Sequence, residues 1–229
     1  SGLGGVPSGK KNIQLTTSGI KLAEKITAVR HCNNRDIWVI AHGFSYNAST
    51  DSAGSQFYSF LITPSGVTST PVISEVGTEH TGGDFNGYGN ARGYMKASPD
   101  GRRIALAITY DGCSLAWWQN SAYYCNSTTG SFELFDFDYT TGIISNPIKI
   151  TGSYKGAYGI EFSPNGDVLY GATWASYGGD NKVYQWNLLA GNATAINNSA
   201  TVIANEANSA GRFGALQLAS DGKIYIVRS

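Results

Sequence analysis

Residues 94–109 read YMKASPDGRRIALAIT. An apolar-alternating arm runs into Ser98-Pro99-Asp100-Gly101, and a second arm follows with Ile104, Ala105, Leu106, Ala107 and Ile108. Asp-Gly between two such arms specifies a β-hairpin, because the tight turn needs a positive φ that glycine adopts without steric cost. The pattern returns at residues 159–173 (GIEFSPNGDVLYGAT) and 215–227 (ALQLASDGKIYIV). A diverged copy stands at 27–41 (TAVRHCNNRDIWVIA), with Asn33-Asn34 at its turn. Turn-to-turn spacing is 67 residues from Asn33 to Asp100, 65 to Asn165 and 56 to Asp221. Four copies of one hairpin make this a repeat protein.

Behind each of the first three hairpins comes a long polar connection, a third strand, a short turn and a fourth strand. The third strands are residues 57–63 (FYSFLIT), 132–138 (FELFDFD) and 182–188 (KVYQWNL), and the fourth strands are 70–76, 144–150 and 200–204. The short turns between them are Pro64-Ser65-Gly66, Thr140-Thr141-Gly142 and Ala190-Gly191. Period-two alternation dominates and no helical periodicity competes with it. Four antiparallel strands per repeat form the blade of a β-propeller. The expected fold is therefore all-β, a WD-repeat-like propeller of four-stranded antiparallel blades. Residues 1–24 would give the outer strand of a preceding blade, 25–77, 78–151 and 152–205 one blade each, and 206–229 the first hairpin of a further blade. All belong to one propeller domain. About three full blades fall short of the ~4–8 of closed propellers, so the chain reads as an incomplete fragment of a larger propeller. The alternative is closure as four blades, with the N-terminal strand paired onto the last hairpin.

Sixteen basic and sixteen acidic residues cancel, and only 14% of the chain is charged. That argues against a nucleic-acid surface, which needs a clustered basic footprint. No apolar run approaches the ~20 residues of a membrane span. Among three cysteines, Cys113 and Cys125 lie in one polar connection, where a disulfide would close a short loop at a gain of roughly 3 kcal/mol; two free thiols are the competing reading. Cys32 sits alone beside a hairpin turn. Low charge, abundant Asn, Ser, Thr and Gly, and the loop cysteines favour an oxidising, extracellular setting.

In a blade the hairpin turns and the turns between strands three and four share one face. The connections between strands two and three, and from blade to blade, share the other. Every short connection here belongs to the first set and every long one to the second, so insertions project from one face of a rigid scaffold, where function is usually placed. Those connections carry Tyr46, then His80, Asp84, Phe85, Tyr88 and Arg92, then Trp117, Trp118, Tyr123 and Tyr124, then Trp174 and Tyr177. Exposed Tyr and Trp offer rigid area with a polar handle, which suits glycans or protein surfaces; packing of the loops against one another is the competing role.

A catalytic reading finds little. His31, His42 and His80 fall at unlike places in their units, and none begins a nucleophile or zinc pattern. Asp136 and Asp138 alternate on a strand and fit hydrogen bonding at a blade edge, and Ser98-Pro99-Asp100-Gly101 lacks the alternating oxygens of a calcium loop. No catalytic residue, metal or cofactor is expected. Asn47, Asn126, Asn192 and Asn197 each open an N-x-Ser/Thr triplet.

Segments 11–44 (KNIQLTTSGIKLAEKITAVRHCNNRDIWVIAHGF), 57–67 (FYSFLITPSGV), 93–108 (GYMKASPDGRRIALAI), 132–148 (FELFDFDYTTGIISNPI) and 158–170 (YGIEFSPNGDVLY) together resemble the propeller region of large secreted Bacteroidota proteins. Such proteins typically end in a type B sorting domain read by the type IX secretion system, and are often labelled gliding-motility-associated. No sorting domain is present in these residues. The resemblance implies an adhesion or gliding role at the cell surface, with the type IX machinery and other domains of the parent protein as partners. It also implies O-glycosylation at Ser52, within Asp51-Ser52-Ala53. The expectation is a non-enzymatic extracellular binding or scaffold module for a cell-surface glycan or protein. The alternative is a propeller hydrolase or lactonase, with His80, Asp84 and Arg92 as first candidates.

Overall fold

The structure is a computed structural model that describes residues 15, 20–45, 52–81, 90–109, 130–174, 180–206 and 212–228. Three antiparallel sheets and one hairpin follow in chain order. Blade one holds β1 (Lys21–Arg30), β2 (Ile37–Phe44), β3 (Gln56–Thr63), the short β4 (Gly66–Val67) and β5 (Val72–Glu75), with β4 and β5 both paired to β3. Blade two is β6 (Met95–Ala97), β7 (Arg103–Ile108), β8 (Ser131–Asp138) and β9 (Ile143–Thr151). Blade three is β10 (Ala157–Phe162), β11 (Val168–Thr173), β12 (Asn181–Asn187) and β13 (Thr201–Glu206), and β14 (Phe213–Leu218) with β15 (Ile224–Arg228) makes the last hairpin.

The repeated turns have one physical basis. In blade two the Ser98 hydroxyl donates to Asp100 at 2.6 Å and accepts from the Arg103 amide at 2.9 Å, while Gly101 takes φ +71°. In blade three Ser163 pairs with Asn165 at 2.7 Å, accepts from the Val168 amide at 3.0 Å, and Gly166 takes φ +77°. In blade one Asn34 occupies the left-handed region at φ +57°, a conformation asparagine tolerates better than most residues.

Blades pack through side chains that alternate on each strand. On β7, Ile104, Leu106 and Ile108 join Val29, Trp38, Ile40 and Phe57 of blade one, whereas Ala105 and Ala107 join Ile160 and Phe162 of blade three. Large residues on one face and small ones on the other let β10 close onto β7. The seam between blades two and three is aromatic, with the Trp186 ring centroid 5.0 Å from Phe132 and 5.3 Å from Tyr154. Each fully buried Ile, Leu or Phe stabilises the stack by roughly 1.5–3 kcal/mol. Near the axis the inner strands touch through backbone: the Tyr94 amide donates to the Tyr158 carbonyl at 2.9 Å, and a Cβ on Gly159 would stand 2.3 Å from the Gly214 carbonyl oxygen. Among the described residues no helix is long and apolar enough to cross a membrane.

Two boundaries differ from the sequence reading. Residues 21–24 belong to the innermost strand of blade one, not to an outer strand of an earlier blade, because Lys21 pairs with Phe44 and Leu22 with Gly43 beyond a bulge. The connection at Ala190-Gly191 is no tight turn: a 3-10 turn (Leu188–Ala190) and a helix, α1 (Ala193–Asn198), lie between β12 and β13. Asn187 and Asn192 cap them by accepting from the Leu189 and Ala195 amides, and Ile196 is buried in the aromatic seam. Asn197 ties α1 to β9 by accepting from the Thr151 amide at 2.8 Å and donating to the Lys149 carbonyl at 3.2 Å. Both glycosylation-type asparagines in this region therefore serve the fold. Most of residues 1–24, expected as an outer strand, lie outside the described residues.

Candidate functional site

The long-connection face carries a ledge of aromatic side chains from two blades, continued by an arginine of the last hairpin. Tyr94 leads into β6, Tyr158 is the second residue of β10, Trp174 follows β11 and Arg212 leads into β14. Tyr94 meets Tyr158 edge-on at 5.3 Å, Tyr158 lies 5.7 Å from Trp174, and the Arg212 guanidinium sits 5.6 Å from the Trp174 ring centre. Tyr94 and Arg212 are exposed, and Tyr158 and Trp174 are partly buried. The Arg92 charge reaches the same rings: burial first, then Tyr94 and Glu24, raises the Tyr158 phenol above its usual range, and Arg92 opposes them. Each ring comes from a strand end at the same face, so blade packing fixes their order.

Beneath the ledge a polar floor crosses the inner strands. Lys96 of β6 pairs with Glu161 of β10 at 3.1 Å and donates to Gln217 of β14 at 2.7 Å. Glu161 accepts from the Phe162 and Leu218 amides at 3.0 Å each. Three units are thereby clamped by one lysine and one buried carboxylate.

A second polar group is sealed between blades one and two. Lys25 is fully buried and donates from Nζ to the carbonyls of Asn90 at 2.9 Å and Arg92 at 2.6 Å. It pins the segment that delivers Arg92 to the ledge. His42 and His80 are also fully buried, with ring centroids 3.8 Å apart. His42 Nδ1 donates to the Gly43 carbonyl at 2.7 Å, while His42 Nε2 and both nitrogens of His80 find no hydrogen-bond partner among the described residues. Burial drives the shifts: Lys25 falls to about 7, His42 to about 3, and His80 well below its ordinary value, with His42 and Lys25 adding to the last. Glu133 of β8, whose charge is felt by Lys25, accepts from the Thr78 amide at 3.1 Å and the Thr78 hydroxyl at 2.6 Å.

His80, expected on the binding face, is instead inside this seam, because the chain after β5 turns under the rim and its amide bonds the Gly54 carbonyl. Arg92 and Trp174 are on the ledge. Tyr46, Asp84, Phe85, Tyr88, Trp117, Trp118, Tyr123, Tyr124, Tyr177 and the Cys113–Cys125 pair lie outside the described residues, as do Asn47 and Asn126. Ser52 opens a 3-10 turn (Ser52–Ser55), and Cys32 is an exposed free thiol. Tyr94, Tyr158 and Arg212 were not singled out from sequence. Their signal is an aromatic–glycine pair (Gly93-Tyr94, Tyr158-Gly159) four to five residues before the turn serine.

The opposite face holds a cleft of about 570 Å³ lined by Asp100, Arg102, Asp136, Asp138, Asn146 and Asp167 among others. Its polar groups are occupied locally. Asp138 accepts from the Thr140 amide and the Thr141 hydroxyl at 2.8 Å each, Asp136 accepts from Asn146 at 2.8 Å, and Arg102 donates to the Tyr139 hydroxyl at 2.9 Å while lying over its ring. Among the described residues no three His, Cys, Asp or Glu side chains are grouped to hold a metal.

No protein-family model matches this sequence, nor does any curated protein. Solved structures do. The periplasmic gluconolactonase PpgL of Pseudomonas aeruginosa is 14% identical, with 93% of this chain and 51% of that chain covered at a TM-score of 0.51. A putative 6-phosphogluconolactonase from Bacteroides uniformis ATCC 8492 is 15% identical over 91% of this chain and 47% of that one, with a TM-score of 0.47. The β-propeller domain of Cps50 (Swd1) from Myceliophteria thermophila is 9% identical, with 86% and 46% covered and a TM-score of 0.41. At such identities the likeness concerns the fold alone. This chain spans about half the length of the chains it matches, and its blades are those of part of a β-propeller.

Proposed function

We propose that the chain is a non-enzymatic β-propeller module of a secreted or cell-surface bacterial protein, and that it contacts a surface glycan or protein through its long-connection face. The observation that carries this reading is the ledge, where Tyr94, Tyr158 and Trp174 of two blades stand ring to ring beside Arg212 of the last hairpin, with the Arg92 charge acting on Tyr158. Rigid aromatics beside arginine are the residue types that dominate binding hot spots. The ionisable histidines behind it support a structural rather than chemical role, since His42 and His80 face each other at full burial. The extracellular setting, the type IX route and the link to adhesion or gliding rest on resemblance to secreted Bacteroidota propellers and on the low-charge composition.

The test is binding of fluorescently labelled protein to Bacteroidota cell envelopes. Trp174→Ala is expected to weaken it by about tenfold or more, as truncating an aromatic anchor does. Unchanged binding would reject the ledge as the contact surface. Lactone hydrolysis abolished by Arg92→Ala would replace the binding role with an enzymatic one.

A further inference from the structure

We propose that the ledge takes a carboxylated oligosaccharide, a glycan of the uronic-acid class; the proposal builds on the binding role above and narrows its ligand. Two features select the chemistry. First, the polar atoms on offer are mostly donors: the guanidinium groups of Arg92 and Arg212, the indole N–H of Trp174, and the phenols of Tyr94 and Tyr158. Among the described residues neither Arg92 nor Arg212 has an ion-pair partner. Glu24 is a carboxylate whose charge Tyr158 also feels, and it too forms no ion pair among the described residues. Lys96, beneath the ledge, is already held by Glu161 and Gln217. A guanidinium meets a carboxylate through two parallel N–H···O bonds, a geometry an ammonium cannot supply.

Second, Arg212 lies over Trp174 at one end of the run of rings, and the Arg92 charge reaches Tyr158 in the middle of it. Arg212 is positioned by the Trp174 ring, so ordering it on a ligand costs little side-chain freedom. A chain bearing carboxylates, with apolar C–H faces beside them, matches a run of three rings that ends at Arg212 and lies within reach of the Arg92 charge. An acidic peptide matches the cations and leaves the rings without a flat partner, which favours the sugar.

The experiment is titration of the full chain with polygalacturonate, its methyl ester and poly-glutamate, followed by calorimetry at ionic strengths of ~0.05 and ~0.5 M, a span over which exposed charge attraction is screened. The expected result is binding to polygalacturonate, weakened about tenfold or more by the Arg92→Gln, Arg212→Gln double variant and by high salt, with little binding of the ester or the peptide. Arg212 is exposed and Arg92 half-buried, and a thermal melt matching the parent chain establishes that the variant is folded. Equal binding of ester and acid would overturn the anionic class while leaving the ledge in place. Binding of poly-glutamate alone would overturn the glycan class. Failure of all three probes while Trp174→Ala still weakens envelope binding would overturn this ligand and spare the broader role. Failure of the probes together with unaffected envelope binding would remove both.

Discussion

The two faces of this propeller segment differ in what their polar groups are doing. The short-turn face has a cleft of about 570 Å³ lined by charged groups, yet Asp100, Asp136 and Asp138 are committed to hydrogen bonds with residues near them in the chain. The long-connection face has a shallow ledge whose cations have no ion-pair partner among the described residues, above a seam that buries Lys25, His42 and His80. Cavity volume therefore points to one face and unsatisfied chemistry to the other. Binding free energy comes from groups that gain partners on binding, so the second face is the better candidate.

Acid should separate the faces most strongly. His42 has a folded pKa of about 3 against an ordinary 6.5, so below pH 6.5 the unfolded chain binds a proton that the folded chain does not. Its contribution is fully present above 6.5 and is lost as pH falls toward 3, roughly 2 kcal/mol between pH 6.5 and 5 from His42 alone. His80 acts in the same direction. Lys25, lowered from 10.5 to about 7, acts with the same sign at higher pH, so stability rises between about 7 and 10.5. On the turn face, burial of Asp100 is outweighed by the Ser98 hydroxyl and the Arg102 amide, and Asp138 is held chiefly by the Thr140 amide; both carboxyls lie below 3.8. Their contributions are lost only as pH drops beneath that value. Urea unfolding from pH 7.5 to 5, with hydrogen exchange resolved by peptide, should show β2 and the residues around His80 losing protection first. A flat stability curve over that range would contradict the buried seam.

Smaller effects sharpen the comparison from the turn side. Gly142→Ala places a Cβ 2.8 Å from the Trp38 ring at φ +79° and should cost about 1–2 kcal/mol in urea unfolding, with envelope binding unchanged. Asp138→Ala removes the bonds to Thr140 and Thr141 from an exposed turn and should cost about 0.5–1 kcal/mol, again without loss of binding. A binding defect in either would move function toward the cleft.

Much of the fold was legible because the signals are local. Asp100-Gly101 and Asn165-Gly166 fix their hairpins through side chains two to five residues apart, so the repeat shows in the sequence itself. The α1 helix was missed because six residues are too few to display a 3.6-residue period, and only the Asn192 cap marks its start. The site was legible in part. Trp174 and Arg92 stand in long connections, and that asymmetry is what singles them out in the sequence. Tyr94 and Tyr158 read as ordinary strand arms, and only the contact between neighbouring inner strands brings them together. His80 was misplaced for the opposite reason: its polarity suggests the surface, while its burial depends on a partner, His42, that lies 38 residues away.

The most direct test sets the two faces against each other in one binding assay. Tyr158→Ala combined with Trp174→Ala disrupts the ledge, and Arg102→Ala combined with Asp138→Ala disrupts the cleft. The account predicts that the ledge variant loses envelope binding by about tenfold or more while the cleft variant binds like the parent chain. Retained binding by the ledge variant with loss in the cleft variant would contradict it.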